Sequence, residues 1–270
     1  MSQASVTMPG RRWRPPPLIA NPWLRLAIYA GVGLYLAVAL GTLQINWARV
    51  SEGLVRGWAF IAAFGSPDFT SRSGEIFEGM VESLTMTVVS TVLGVALSLP
   101  VGLGAARNLA PLPVYLMCRG IIAVSRSFPE IIIAILFVKM FGFGPLAGMV
   151  TLAFATIGFM AKLLAEDLEE IDAAQVEAVR ASGAGWAQVM TYAVQPQVLP
   201  RFIGLSVYRL DINFRESAVI GIVGAGGIGA TLNTSFDRYE FDTAAAILLL
   251  IIGIVMVAEY ASGIIRKQLQ

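Results

Sequence analysis

The groups best placed to do chemistry are charged side chains inside apolar stretches. Ser125-Arg126-Ser127-Phe128-Pro129-Glu130 interrupts the apolar run 112–141. Arg209, Asp211, Asn213, Arg215 and Glu216, followed by Ser217, interrupt a run from about Phe202 to Ile222. An unpaired charge at bilayer depth costs about 2.5–3.5 kcal/mol on insertion scales, so it persists when paired or when it lines a wet cavity. Arg126 and Glu130 are four apart, a spacing that lets them meet on one helix face, and so are Asp211 and Arg215. Two readings follow. In one, Arg and Ser groups line a route for an anion, and carboxylates hold the Arg side chains while it is absent. In the other, the ion pairs fix helix register at a gate or dimer interface, whether or not a solute touches them.

Other chemistry is poorly supplied. The chain has no histidine, which excludes His relays and His-ligated metal sites, and its single cysteine, Cys118, permits no disulfide within one chain. Cys118 beside Arg119 reads as a small apolar filler rather than a reactive thiol. Gly224-Ala-Gly226-Gly227-Ile-Gly229 matches GxGxxG literally. That fingerprint needs a preceding strand and a following helix in a βαβ unit, whereas here it ends an apolar segment. Close backbone packing, or a bent re-entrant segment buried in protein, accounts for it better. No GxxxxGK[ST] pattern occurs, so the chain carries no recognisable P-loop.

The elements that must position these groups follow from composition. Of 270 residues, 56% are hydrophobic and 14% charged, against roughly 25% charged in soluble domains. The class is therefore an all-α polytopic membrane helix bundle. A net charge of +1 gives no reason to expect nucleic acid. Six spans are predicted: Leu26–Ile45, about Glu82–Gly104, 112–141 with a kink or break at Pro129, about Leu146–Leu164, about Phe202–Ile222 and about Ala244–Ile264. Ser83, Thr85, Thr87, Ser90 and Thr91 suit helix–helix contacts in the second span. Residues 1–23, with Arg11, Arg12, Arg14 and Pro15-Pro16-Pro17, read as a disordered cytoplasmic arm. The run after it is too long for a signal-peptide core and is expected to be retained. Trp58–Phe64 is too short to span and reads as an interfacial helix. The basic residues Arg11, Arg12, Arg14, Arg25, Arg107, Arg266 and Lys267 place both termini on the cytoplasmic side; the loop holding Lys139 is an exception.

The same alternation puts residues 171–200 on the cytoplasmic side. Asp172 and Gln175 read as an N-cap with a capping-box partner. Gly183 is expected to end that helix in the left-handed conformation. Trp186–Val194 reads as a second short helix stopped by Pro196 and Pro200. The Ala- and Gly-rich surface leaves a shallow top that another protein can approach closely.

Glu177-Ala178, with Ala181, Gly183 and Pro196, is similar to the EAA loop of ABC-transporter permeases, although Val179 stands where that pattern usually has Ala. The stretch Asn213 to Gly229 resembles phosphonate-type ABC permeases, and so does Ser125 to Glu130; the likeness covers roughly 75–265. Methionine-type permeases share the Gly-rich tail. The resemblance implies the type I importer permease fold and a bacterial inner-membrane location. It implies a second copy of the chain, two copies of an ATPase that binds ATP and Mg, and an external substrate-binding protein. In that frame Glu177, Ala178, Ala181, Gly183 and Pro196 are the ATPase-coupling residues, within a coupling loop over 166–200. Ser125, Arg126, Ser127, Glu130, Arg209, Asp211, Asn213, Arg215, Glu216 and Ser217 belong to the translocation path or gate. No catalytic residue, metal or cofactor is expected in this chain. The implied solute is phosphonate, phosphite or a phosphate ester, with methionine or another small solute, or an ATP-independent channel, as alternatives. The expected organisation is an arm over 1–23, a first span and external loop over 24–74, and a permease domain over 75–265.

Overall fold

The computed structural model of the protein describes Ile19, residues 21–43 and residues 46–269, the stretch 265–269 through its backbone alone. The predicted N-terminal arm lies almost wholly outside these residues, as do Gln44, Ile45 and the side chains of Arg266 and Lys267. Among the described residues every regular element is a helix.

The chain divides at Gly57 into two units. The first holds α1 (Pro22–Thr42) and most of α2 (Trp47–Ala63). The Asn21 side chain caps α1 by accepting the Trp23 amide at 3.0 Å, and Pro22 opens the helix where its missing N–H costs nothing. The interfacial helix expected at Trp58–Phe64 is longer at its start. Asn46 accepts the Arg49 amide at 3.2 Å, and Glu52 pairs with Arg56 at 3.8 Å one turn apart, so helix continues from Trp47.

The second unit holds the bundle. Its elements are α3 (Ser73–Ala105), α4 (Leu112–Ser127), α5 (Glu130–Phe141), α6 (Pro145–Glu169), α7 (Ala173–Ala181), α8 (Trp186–Val189), a π-helical turn (Met190–Val194), α9 (Gln195–Gly221), α10 (Ile228–Asp237) and α11 (Phe241–Leu269). The helices α1, α3, α6 and residues Phe241–Ile264 of α11 are long and apolar enough to cross a membrane. The pair α4/α5, bent by 95° at Pro129, is a broken span or a re-entrant loop, and counts as a fifth crossing if the pair is one span. Helix α9 has the length, 27 residues, and is set apart from the others by its charges.

Helices α3 and α6 form the centre. Glycines let them touch: a Cβ on Gly94 would stand 2.5 Å from the Thr156 Cβ, and one on Gly102 2.7 Å from Leu164. Ser83, Thr87, Ser90 and Thr91 are buried as expected, while Thr85 is exposed. Thr87 and Thr91 donate to carbonyls four residues back at 2.7 and 2.6 Å, which satisfies their hydroxyls without a second helix.

One boundary differs from expectation. Pro196 and Pro200 do not stop a short helix; α8, the π turn and α9 run on as one rod. A proline ring clashes with the carbonyl four residues back. The π turn widens the backbone just before Pro196, with Gln195 donating to Met190 five residues back. Pro196 then sits in the first turn of α9, where its lacking donor is tolerated.

Candidate functional site

The α4–α5 break, α6 and α9 enclose a cavity of about 370 Å³ lined by Ser125, Arg126, Ser127, Glu130, Phe159 and Arg209 among others. Pro129 creates it. With φ −58° and ψ 142° it holds extended backbone between Ser127, the last residue of α4, and Glu130, the first of α5. The break also corrects one expectation. Arg126 and Glu130 do not share a helix face, and no ion pair within 4.0 Å joins them. Both face the cavity instead.

Helix α9 sorts its charges by the period of 3.6 residues. Arg209, Asn213 and Glu216 fall on one side. Arg209 is 3% exposed; its Nε donates to Thr156 Oγ1 at 3.1 Å and its Nη2 to Glu216 at 3.2 Å. Asn213 is fully buried and donates to Thr91 Oγ1 at 2.8 Å and Thr156 Oγ1 at 3.0 Å, tying α9 to α3 and α6. Asp211 and Arg215 lie on another side of the helix and pair with each other, as their spacing predicts. They are absent from the cavity lining. Ser217 is buried and donates to the Phe214 carbonyl at 2.7 Å. Ser125 donates to the Phe154 carbonyl at 2.8 Å, and Ser127 to that of Ala123 at 2.6 Å.

Thr156 and Phe159 of α6 are central members that the sequence did not single out. Arg209 Cζ lies 5.3 Å and Arg126 Cζ 5.9 Å from the Phe159 ring centroid, within cation–π range. Nothing in the sequence of α6, which also holds Thr151 and Phe154, marks them. A second pocket, about 310 Å³ beside the π turn, is lined by Leu99, Leu103, Leu164, Val198 and Phe202 and has almost no polar wall. It offers an anion nothing.

The hairpin over 171–200 presents a different surface. Asp172 caps α7, accepting the Ala174 amide at 2.9 Å. Gln175 does not complete a capping box; Gln197 of α9 accepts the Asp172 amide at 2.8 Å and thereby fixes the hairpin to its own next helix. Gly183 has φ +82°, the left-handed end predicted for α7, and its amide donates to the Arg180 carbonyl at 3.0 Å. Val176 and Val179 pack inward against a core around Leu164, Leu168 and Val194. Glu177, Ala178, Arg180, Ala181, Gly183 and Pro196 are exposed, and Trp186 and Tyr192 are each 71% exposed. Beneath the hairpin, Glu169 accepts the Arg107 amide at 2.8 Å and pairs with Arg119 at 2.9 Å; Asp167 pairs with Arg201 at 2.7 Å.

The Gly-rich segment is a largely buried, closely packed turn. Gly224, Gly226 and Gly227 all have positive φ. A Cβ on Gly226 would stand 2.7 Å from the Pro145 nitrogen, and one on Gly221 2.6 Å from the Gly226 carbonyl oxygen. The amides opening α10 are occupied from within: Gly227 donates to Glu82 at 2.9 Å and Ile228 to Ser83 at 3.0 Å. The first two amides of this helix start are thus already taken by α3.

Residues 98–269 match the family described as binding-protein-dependent transport system inner membrane component. The chain is 44% identical over 204 residues to the phosphate-import permease protein PhnE of Mycolicibacterium smegmatis, covering 75% of this chain but only 38% of that protein's length. It is 39% identical over 248 residues to the phosphite transport system permease protein PtxC of Stutzerimonas stutzeri, covering 90% of this chain and 88% of that one. Among solved structures, an inward-facing MetNI methionine ABC transporter superimposes with a TM-score of 0.66 at 27% identity, over 74% of this chain and 100% of that one.

Proposed function

The chain belongs to the binding-protein-dependent transport system inner membrane component family, and on that premise we propose that it is the permease subunit of an ATP-driven importer for a phosphorus oxyanion: phosphonate, phosphite or a phosphate ester. The observation that carries the solute is the alignment with a phosphite permease across 90% of this chain. Two guanidiniums at one cavity are chemically suited to such an anion.

The chain supplies a path and no chemical step. The hairpin around Glu177, Ala178, Ala181, Gly183 and Pro196 docks on a separate ATPase, which binds ATP and Mg. Its tie through Gln197 to the rod that carries Arg209 gives a direct mechanical link from docking surface to cavity. ATP binding closes the ATPase pair and draws the hairpins together; the bundle opens outward, and hydrolysis returns it. Ser125, Arg126, Ser127, Glu130, Arg209 and Glu216 border the path. Asn213 and Ser217 hold the rod, and Asp211 with Arg215 lies on its other side at a gate or subunit contact. A second copy of the chain completes the path, a binding protein delivers solute from outside, and both termini are cytoplasmic. The permease domain runs over 75–265.

The test is ATP-driven uptake of radiolabelled phosphonate and phosphite into vesicles holding this chain, its ATPase and its binding protein, with methionine as control. Anion uptake that needs all three components is expected. Methionine uptake instead would keep the permease and overturn the solute, a rival supported by the likeness to the methionine transporter. Uptake by this chain alone would mean a channel.

A further inference from the structure

We propose that the cavity at the α4–α5 break is itself a binding site for one tetrahedral phosphorus oxyanion, seated between Arg126 and Arg209, and that the anion takes the place Glu216 now holds on Arg209. The choice of ligand rests on the function proposed above; the site rests on its own geometry.

The two arginines are in different states. Arg209 is pinned: it is buried, and Thr156 fixes its Nε at 3.1 Å. Its bond to Glu216, at 3.2 Å, is long for a charge-assisted pair, which closes to about 2.7–2.9 Å when optimal. The chain itself reaches that value where it pairs Arg201 with Asp167 at 2.7 Å. Of the two partners Glu216 is the one with room to leave. Its side chain is 24% exposed against 4% for Arg209. An incoming oxyanion therefore finds a fixed guanidinium with a loosely held, partly exposed carboxylate on it.

Arg126 is the opposite. It is exposed on the cavity wall, and among the described residues it has no ion pair; its recorded contact is the Phe159 ring. The cavity lining thus carries two guanidiniums and one carboxylate, Glu130; Glu216 on Arg209 balances the second guanidinium, and displacing it leaves the lining an excess of one positive charge. The first turn of α5 starts on the same wall, at Pro129 and Glu130, and a helix start adds positive potential. The Ser125 and Ser127 hydroxyls donate to carbonyls of their own chain, so recognition falls on the guanidiniums, whose planar forks fit a tetrahedral oxyanion in pairs. At about 370 Å³ the space admits such an anion with several waters, each taking about 30 Å³.

The experiment is equilibrium binding of radiolabelled methylphosphonate and phosphite to the permease–ATPase complex in lipid nanodiscs, with no binding protein present. Saturable binding is expected in the parent. Arg126→Gln weakens it about tenfold or more, the scale of one lost charge-assisted contact. Glu216→Gln tightens it, because the resident carboxylate no longer competes. Arg209→Gln abolishes it, and if that variant does not insert, Arg126→Gln and Glu216→Gln decide alone. Absence of saturable binding in both the parent and Glu216→Gln overturns the site, even in a complex that imports phosphonate. Unchanged affinity in Arg126→Gln overturns it equally. A complex that binds the anions through Arg126 yet imports only methionine keeps the site and overturns the solute.

Discussion

Glu82 accepts the Gly227 amide at 2.9 Å across 145 positions of sequence. With the Ser83 hydroxyl on the Ile228 amide, α3 supplies the N-cap of α10, which opens on glycine and has no side-chain cap of its own. Glu82→Ala should therefore lower the unfolding temperature of the detergent-solubilised protein, reflecting the roughly 1–2 kcal/mol of stability that a lost cap costs. Glu82→Gln, which can still accept the bond, should lose less. Equal melting of both variants and the parent would show that the turn holds without this carboxylate.

The hairpin offers a test in which sterics and backbone separate. Nothing lies within 4 Å of a Cβ built on Gly183, so space is not the obstacle there. Its φ of +82° is, at about 1–2 kcal/mol for an ordinary L-residue. Gly183→Val should insert normally yet lose ATP-driven uptake, while Gly183→Asn should retain much of it, since Asn tolerates the left-handed region. Full uptake by the Val variant would separate the hairpin's shape from coupling.

Glu177 is exposed on the same surface and has no ion pair among the described residues. Its replacement by Ala should leave stability within about 0.5 kcal/mol of parent, the usual range for surface changes, and the melting temperature nearly unmoved. Uptake should fall several-fold while the complex still assembles, as read by co-purification of ATPase and transport in vesicles. Parent-like uptake would remove Glu177 from the coupling surface.

Arg201 and Asp167 make an asymmetric pair: the Arg side chain is 60% exposed, the Asp 5%. Truncating the exposed partner strands a buried carboxylate, so Arg201→Ala should cost more than Asp167→Asn. Breaking a buried pair from one side costs about 3–5 kcal/mol, and the exposure of the Arg lowers that figure here. The double variant should regain part of the loss. Chemical denaturation in detergent measures all three.

Asn213 is the knot between α3, α6 and α9. Asn213→Leu keeps the size and drops the bonds. Interhelical bonds in membranes average about 0.6 kcal/mol, with a maximum near 1.7, so a modest stability loss is expected. Because Thr156 also holds Arg209, the same variant should alter oxyanion affinity more than it alters melting.

How far these features could be read in advance depended on whether the deciding interaction was local. Pro129 announced the break because its missing donor acts on its own helix. The Asp211–Arg215 pair was legible because α9 is continuous there. The Arg126–Glu130 pair was not, because spacing by four presupposes the helix that Pro129 breaks. Gln175 looked like the capping partner from three residues away, yet Gln197 makes that bond from the next helix, which no local rule reaches. Pro196 and Pro200 look like stops by local rules, and the π turn that accommodates Pro196 has no sequence signature of its own. Thr156 and Phe159 matter through what other helices bring to them, so nothing in α6 by itself reveals them.

The bend at Pro129 has one more consequence, and it concerns solvent. Two helix ends meet there inside one apolar stretch, leaving carbonyls of the last turn of α4 and amides of the first turn of α5 without intrahelical partners. Hydrocarbon satisfies none of them, so such a break is sustained only where it is buried in protein or lines a wet cavity, and this one borders the cavity between α4, α5, α6 and α9. The proline thus fixes where water can enter the apolar stretch, and water in a pocket softens the electrostatic grip on any ion inside it. Under the proposed function, an anion held there by arginine would thereby also be able to leave.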